Sequence, residues 1–119
     1  MALTKDKRTV VVFADALENP INYLRALELL DQLFLGESGL GNEWNVVVCG
    51  RGVEPLMLAG EVPVSCADHL SRRDIAEMSV AIMATSDQQV EAWCEESGVA
   101  IVTDISGSSI SGALLGGRA

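Results

Sequence analysis

Two uninterrupted runs of apolar, mostly β-branched residues constrain the fold of this chain more than any other feature of its sequence. Residues Thr9–Ala14 read TVVVFA, and residues Trp44–Cys49 read WNVVVC. A strand with one face in water alternates apolar and polar residues, whereas a strand buried on both faces is apolar throughout. Both runs therefore predict central strands of a sheet that carries helices on its two faces.

Helical and strand patterns alternate along the rest of the chain. The longest helix is predicted over Pro20–Leu35, because Asn19 can cap its first turn and Gly36 can end it. Further helices are predicted over Val53–Ala59, Arg72–Met78 and Asp87–Ser97, with one more helical turn around Ile110–Leu115. Further strands are predicted over Val62–Cys66, Ser79–Ala84 and Val99–Thr103.

This alternation predicts a single α/β domain with three layers. Its centre is a mostly parallel five-stranded sheet, and helices cover both faces of that sheet. The 119 residues suit one domain of ordinary size. Residues 1–8 are predicted to be a polar N-terminal segment, and residues 105–119 a Gly/Ser-rich C-terminal tail. The short third strand is expected at an edge of the sheet.

The charge balance excludes several classes of partner. The chain has 8 Lys and Arg residues against 17 Asp and Glu residues, and its net charge at pH 7 is −9. Such a surface repels nucleic acid and anionic lipid, so neither is expected as a partner. No apolar run approaches the ~20 residues of a membrane span. Because no secretory signal is visible, we expect a cytoplasmic protein with reduced thiols.

The residues capable of chemistry are concentrated where the predicted strands end. Ligands of open α/β sheets bind beyond the carboxyl ends of the strands, which makes these positions the candidate site. The five segments are Asp15, Cys49–Gly52, Cys66–His69, Thr85–Asp87 and Asp104–Ser109. Loops also begin at strand ends and are polar for that reason alone, so position by itself does not establish a site.

Cys66 is the strongest catalytic candidate in these segments. It ends a strand and precedes a helix, and His69, the only histidine, follows three residues later. Outside the termini the only cations are Arg25, Arg51, Arg72 and Arg73. All except the first follow a cysteine at a strand end, and nearby cations lower the pKa of a thiol. The alternative is a small buried core residue, as free cysteines usually are.

Gly50, Arg51 and Gly52 form a second candidate, a binding turn between a strand and a predicted helix. Such a turn can hold an anion, although it is more often only a tight turn with positive φ. Residues Ser106–Ser109 could bind an anion in the same way, but the start of a flexible tail is the alternative there.

A metal site is not expected. The three cysteines lack the Cys-x-x-Cys spacing of zinc sites. Asp15, Asp87 and Asp104 each follow a strand and could together bind Mg²⁺. Asp87 is nevertheless explained as an early residue of a helix, and no lysine lies outside the N-terminal segment to complete a phosphoryl site. We therefore predict neither a metal nor a cofactor.

Residues Thr9–Ile75 contain a recognisable order of segments. The first strand is followed by the helix NYLRALELLDQL, then by NVVVCGRGVEPLM, and then by VPVSCADHLSRRDI, in which a cysteine ends the third strand. This order resembles the DsrE/DsrF-like small sulfur-relay proteins, including the YchN-like branch. The resemblance implies a DsrE-like or flavodoxin-like fold and persulfide sulfur carried on Cys66. It also implies a homo-oligomer, since members commonly form trimers or hexamers, and a protein partner that donates or accepts sulfur.

These residues together predict a cytoplasmic sulfur-relay or thiol protein. Cys66 would accept a sulfane sulfur as a persulfide, and Gly50–Gly52 would line the pocket. The thiolate would be stabilised by His69, Arg72 and Arg73. Two alternatives stay open. One is a non-catalytic oligomeric interaction or regulatory module on a Rossmann-like scaffold, and the other is a binder of nucleotides or phosphorylated metabolites.

Overall fold

A six-stranded mixed sheet forms the centre of the protein. The computed structural model describes residues 6–37 and 39–116. The strands are Arg8–Phe13 (β1), Trp44–Cys49 (β2), Leu56–Leu58 (β3), Val62–Ala67 (β4), Val80–Met83 (β5) and Ala100–Val102 (β6). The helices are Pro20–Gly36 (α1), Arg72–Ala76 (α2), Gln88–Ser97 (α3) and Gly107–Leu115 (α4). Short 3-10 turns lie at Leu40–Asn42 and Ala59–Glu61.

The strands are arranged in the order β3-β4-β2-β1-β5-β6. Neighbouring strands are parallel except at one edge, where β3 runs antiparallel to β4. The predicted α/β class is therefore confirmed, but the predicted five-stranded, mostly parallel sheet is wrong, because the sheet has six strands and is mixed.

The additional strand, β3, lies within the segment Val53–Ala59, for which the sequence predicts a helix. Leu56 and Leu58 pack on the core, whereas Met57 between them is 62% exposed. This period of two is the period of a strand, and three residues are too few to reveal it in the sequence. Because β3 pairs with the outer side of β4, the third predicted strand does not form an edge of the sheet, contrary to the expectation.

Alternate residues of the central strands belong to two separate cores. On β1, Val10 and Val12 pack with α1 and α4, whereas Val11 and Phe13 pack with α2 and α3. All four side chains are at most 5% exposed. Helices therefore cover both faces of the sheet, which is the arrangement that the uninterrupted apolar runs predict.

The predicted C-terminal tail contains a helix of the core. The Ser106 hydroxyl caps α4 by accepting a hydrogen bond from the Ser109 N–H at 3.2 Å. Ile110 and Leu114 lie one turn apart on this helix and are buried in the same core as α1. α4 is thus longer than the single turn predicted here. Residues 1–5 of the predicted N-terminal segment and residues 117–119 of the tail lie outside the described residues.

A side chain caps the first turn of each of the two longest helices. Asn19 is the predicted cap of α1, whereas the sequence predicts Asp87 only as an early residue of its helix. Asn19 Oδ1 accepts a hydrogen bond from the Asn22 N–H, and Pro20 is the first residue of α1. Asp87 Oδ1 caps α3 in the same way, and Gly98 ends this helix with a φ of 73°. None of the helices within residues 6–37 and 39–116 has the length and apolar composition of a membrane span.

The parallel strands follow the order third, second, first, fourth, fifth along the chain, when β3 is set aside. This is the strand order of doubly wound, Rossmann-type sheets. The chain leaves β1 toward α1 on one face, and it leaves β5 toward α3 on the other. The two connections therefore separate above β1 and β5, which creates a crevice at the carboxyl end of the sheet.

Candidate functional site

A cleft of about 500 Å³ opens at this crevice, on the face of the sheet that α2 and α3 cover. Four of the five segments in which the sequence predicts a site contribute to its walls, and Asp104–Ser109 is the segment that does not. The lining residues are Phe13, Ala14, Asp15, Cys49, Gly50, Arg51, Asp68, His69, Leu70, Thr85, Ser86, Asp87, Gln89, Val90 and Trp93. Residues of these four segments therefore lie together at the carboxyl end of the sheet.

The inner end of the cleft depends on the close approach of β1 and β2. The Ala14 N–H donates a hydrogen bond to the Cys49 carbonyl oxygen at 2.9 Å. Gly50 follows with a φ of 144°, and a Cβ at this position would overlap the carbonyl oxygen of Ala14. Gly52, with a φ of 73°, completes the turn in the left-handed region without lining the cleft. Both glycines are required by the backbone of this turn.

Arg51 lies at the rim of the cleft and is held by two carboxylates. Its Nε donates to Asp15 Oδ2 at 3.1 Å, and its Nη2 lies 3.2 Å from Glu18 Oε1. The hydrogen bond from Arg51, followed by those from the backbone N–H groups of Glu18 and Leu17, lowers the pKa of Asp15. Because two acids surround one guanidinium, this turn offers an anion no net positive charge.

Cys49 is the cysteine that lines the cleft, and its side chain is buried, with an exposed fraction of 6%. Burial, followed by the negative charges of Asp68 and Asp87, raises the pKa of the Cys49 thiol to about 11. The group is therefore a neutral thiol at pH 7, and it contributes a small apolar surface to the cleft instead of a nucleophile.

Two further carboxylates belong to the cleft. Asp87 Oδ1 accepts hydrogen bonds from the N–H groups of Gln89 and Val90 at 3.1 Å each, and its other oxygen has no hydrogen-bond partner within the described residues. Asp68 is exposed, and its carboxylate has neither a hydrogen bond nor an ion pair in residues 6–37 and 39–116. His69, also exposed, follows it in the chain.

The outer wall of the cleft comes from α3 and is not evident from the strand-end rule. Gln89, Val90 and Trp93 line this wall. The apolar spacing of Val90 and Trp93 was available in the sequence, but it indicates only that one side of the helix packs inward. Their place over the strand ends depends on the packing of α3 beside α2, which an ion pair between Arg72 and Glu96 joins.

The structure does not bring Cys66 and His69 together. Cys66 lies on β4 in register with Val48, and it packs, partly buried, against the core on the α1 side of the sheet. His69 lines the cleft on the opposite face, where Cys49 is the neighbouring cysteine. Cys94, the third free cysteine, is buried within α3.

The arginines predicted to act on Cys66 lie on the surface of α2. Arg72 and Arg73 are the first two residues of this helix, and both are exposed. Arg72 is paired with Glu96 of α3. Arg73 contributes a small part of the lowered pKa of Asp74, which is caused mainly by hydrogen bonds from the backbone and side chain of Ser71. Neither arginine lines the cleft.

The segment after β6 forms a hydrogen-bond network of its own. The hydroxyls of Ser106 and Ser109 both donate to Asp104 Oδ2, at 3.0 and 2.9 Å. Asp104 does not line the cleft that contains Asp15 and Asp87, so these three carboxylates do not form one site. In the part of the chain that the structure describes, no three His, Cys, Asp or Glu side chains are arranged to hold a metal ion.

The strand order and the cleft define an α/β protein with a candidate small-molecule site at the topological switch point of its sheet. Comparisons of the chain with protein-family models, with curated proteins and with solved structures found no match. What the protein does must therefore be inferred from the chemistry of its own residues.

Proposed function

We propose that the protein binds a small organic molecule in the switch-point cleft and acts as a binding or regulatory module. The observation that carries this proposal is the cleft itself, with a volume of about 500 Å³. Small-molecule sites are usually concave spaces of roughly 300–1,000 Å³ with apolar walls and a few polar groups. Here Phe13, Leu70 and Trp93 supply apolar surface, and Thr85 and Ser86 supply hydroxyl groups.

The chemistry of the cleft favours binding over covalent catalysis. The pKa of its cysteine, Cys49, is raised to about 11, so the cleft holds even less thiolate at pH 7 than an ordinary cysteine would supply. The exposed His69 has no hydrogen-bond partner within the described residues that would orient its ring as a general base. Arg51 is already paired with Asp15 and Glu18.

A fragment screen followed by NMR of the ¹⁵N-labelled protein tests this proposal. We expect bound fragments to shift the amide signals of Leu70, Ser86 and Val90. Ser86→Trp places a large ring at the mouth of the cleft and should weaken binding at least about tenfold. Ser97→Trp makes the same change at an exposed position outside the cleft and should leave the affinity unchanged. Fragments that bind only elsewhere, or that bind Ser86→Trp as tightly as the wild type, contradict the proposal.

As a second function, we propose that Cys66 carries persulfide sulfur, as the resemblance to the DsrE/DsrF-like proteins implies. The supporting observation is that Cys66 is the only one of the three free cysteines that is not buried. The Cys66 thiolate would attack the terminal sulfur of a donor persulfide and displace the donor as its thiolate. One sulfur–sulfur bond breaks as another forms, so no oxidant is needed. A protein that gives or takes the sulfur is part of this proposal.

Mass spectrometry after incubation with glutathione persulfide tests the role of Cys66. We expect a gain of about 32 Da, the mass of one sulfur atom, that is lost on treatment with a reductant. Cys66→Ala should abolish this adduct, whereas Cys94→Ala, which removes a buried thiol, should retain it. An adduct that survives Cys66→Ala would assign the sulfur to another residue.

We also propose that the protein forms a cytoplasmic homo-oligomer. Three large apolar side chains are exposed near the start of α1, namely Leu17 (69%), Ile21 (76%) and Leu24 (61%). Exposed apolar groups that lie close together often mark interaction surfaces. The cytoplasmic location is supported by three cysteines without a disulfide, since reducing compartments keep thiols free.

A further inference from the structure

The apolar walls of the cleft suit a flat ring. Phe13 of β1 and Leu70, which precedes α2, line the cleft, and Val90 and Trp93 line the side formed by α3. Trp93 is only partly buried, so part of its indole surface is available to a ligand. Aromatic walls bind planar apolar groups, and tryptophan is also the side chain that attracts a cation most strongly through its π system.

The charged groups of the cleft are mostly negative. Three carboxylates line it, those of Asp15, Asp68 and Asp87, against one guanidinium, that of Arg51. Arg51 is bound by Asp15 and additionally by Glu18, so it adds no free positive charge. The two remaining carboxylates are therefore uncompensated by any arginine or lysine of the cleft, and they repel an anionic ligand.

These two carboxylates have unused hydrogen-bonding capacity. Asp68 has no partner within the described residues, and one oxygen of Asp87 is likewise free. Their negative charge reaches the inner wall, because both contribute to the raised pKa of the Cys49 thiol. A positive group on a ligand in the cleft would gain attraction from both acids.

We infer that the cleft selects organic cations in which a flat apolar ring carries an ammonium or guanidinium group. The ring would lie against the wall that contains Trp93, and the cation would lie toward Asp68 and Asp87. This inference rests on the proposed binding function, since it names the class of ligand for the same cleft. It disfavours nucleotides and phosphorylated metabolites, whose phosphates would meet the same carboxylates.

Three probes that share an indole ring and differ in charge test the inference. They are tryptamine, which is a cation at pH 7, 3-methylindole, which is neutral, and indole-3-acetate, which is an anion. Titrations of the ¹⁵N-labelled protein should shift the amides of Leu70, Ser86 and Val90. We expect tryptamine to bind at least about tenfold more tightly than indole-3-acetate at low ionic strength. Raising NaCl from about 20 to about 200 mM should reduce this preference.

A charge-neutral variant assigns the preference to the two acids. Asp68→Asn combined with Asp87→Asn removes both charges, and asparagine keeps the helix cap of α3 because it is as good a capping residue as aspartate. This double variant should lose most of the preference for tryptamine. Glu77→Gln combined with Glu95→Gln removes two charges from exposed positions outside the cleft and should keep the preference.

The outcomes separate the inference from the function on which it rests. Binding of indole-3-acetate at the cleft amides as tightly as tryptamine overturns the cation inference and leaves the binding function in place. A preference that persists in the Asp68→Asn and Asp87→Asn double variant also overturns it. If none of the three indoles shifts the cleft amides, the inference is overturned, whereas the proposed binding function is contradicted only if the fragment screen also finds no ligand for the cleft.

Discussion

At the scale of single residues, burial in the cleft keeps the Cys49 thiol protonated to a higher pH than an ordinary thiol. The Cys49 thiol has a raised pKa of about 11, against an ordinary value of 9.0, because it is buried and lies near two carboxylates. Above pH 9 the unfolded chain loses this proton while the folded chain still holds it. The stabilising contribution is therefore complete below pH 9 and is lost as the pH rises toward 11.

We predict that the free energy of unfolding of the wild type falls between pH 9 and pH 11 relative to that of Cys49→Val. The expected difference is about 1–2 kcal/mol, because one pKa unit corresponds to about 1.4 kcal/mol and a partly solvated cleft weakens the effect. Urea unfolding at a series of pH values measures it, with the two proteins compared at pH 7 as the reference. Valine is chosen because it keeps the apolar, β-branched character of the strand. If the free energies of unfolding of the two proteins change in parallel with pH, the Cys49 thiol is not the cause of the loss of stability.

At the scale of elements, the sequence predicts best where two independent patterns agree. β1 and β2 are long apolar runs of β-branched residues, and α1 and α3 combine apolar spacing with a capping residue and a terminating glycine. β3 is missed because a three-residue strand shows little period, and its pairing with β4 exists only in the folded sheet. α4 is underestimated because its serines and glycines indicate a loop, whereas contact with α1 stabilises it as a helix.

The candidate site is predictable in position but not in composition. The strand-end rule locates the segments that supply most of the lining residues, since carboxyl ends of parallel strands meet at one edge. It does not show which side chains share a face, because a strand that is buried on both sides carries apolar side chains on both of its faces. Cys49 and Cys66 therefore have similar positions in the sequence but lie on opposite faces of the sheet. The wall that contains Trp93 depends on helix packing and has no signature at the strand ends.

At the scale of the whole molecule, two opposing terms decide whether copies of the chain associate. The net charge of −9 makes the average electrostatic interaction between two copies repulsive. The exposed side chains Leu17, Ile21 and Leu24 favour contact, since burial of a large apolar side chain contributes about 1.5–3 kcal/mol. At moderate concentration salt weakens only the electrostatic repulsion, because it screens exposed charges over a Debye length of about 10 Å at 0.1 M.

We predict that self-association strengthens as NaCl is raised from about 20 to about 500 mM, and that it takes place through the start of α1. Ile21→Gln combined with Leu24→Gln should weaken association at every salt concentration. Glutamine leaves the net charge unchanged and suits a helix, so the comparison isolates the apolar term. Sedimentation velocity measures the effect, with Met57→Gln as the control because Met57 is equally exposed but lies on β3 at the sheet edge. The oligomer is contradicted if the wild type stays monomeric at high salt. The contact lies on another surface if the double variant associates as strongly as the wild type.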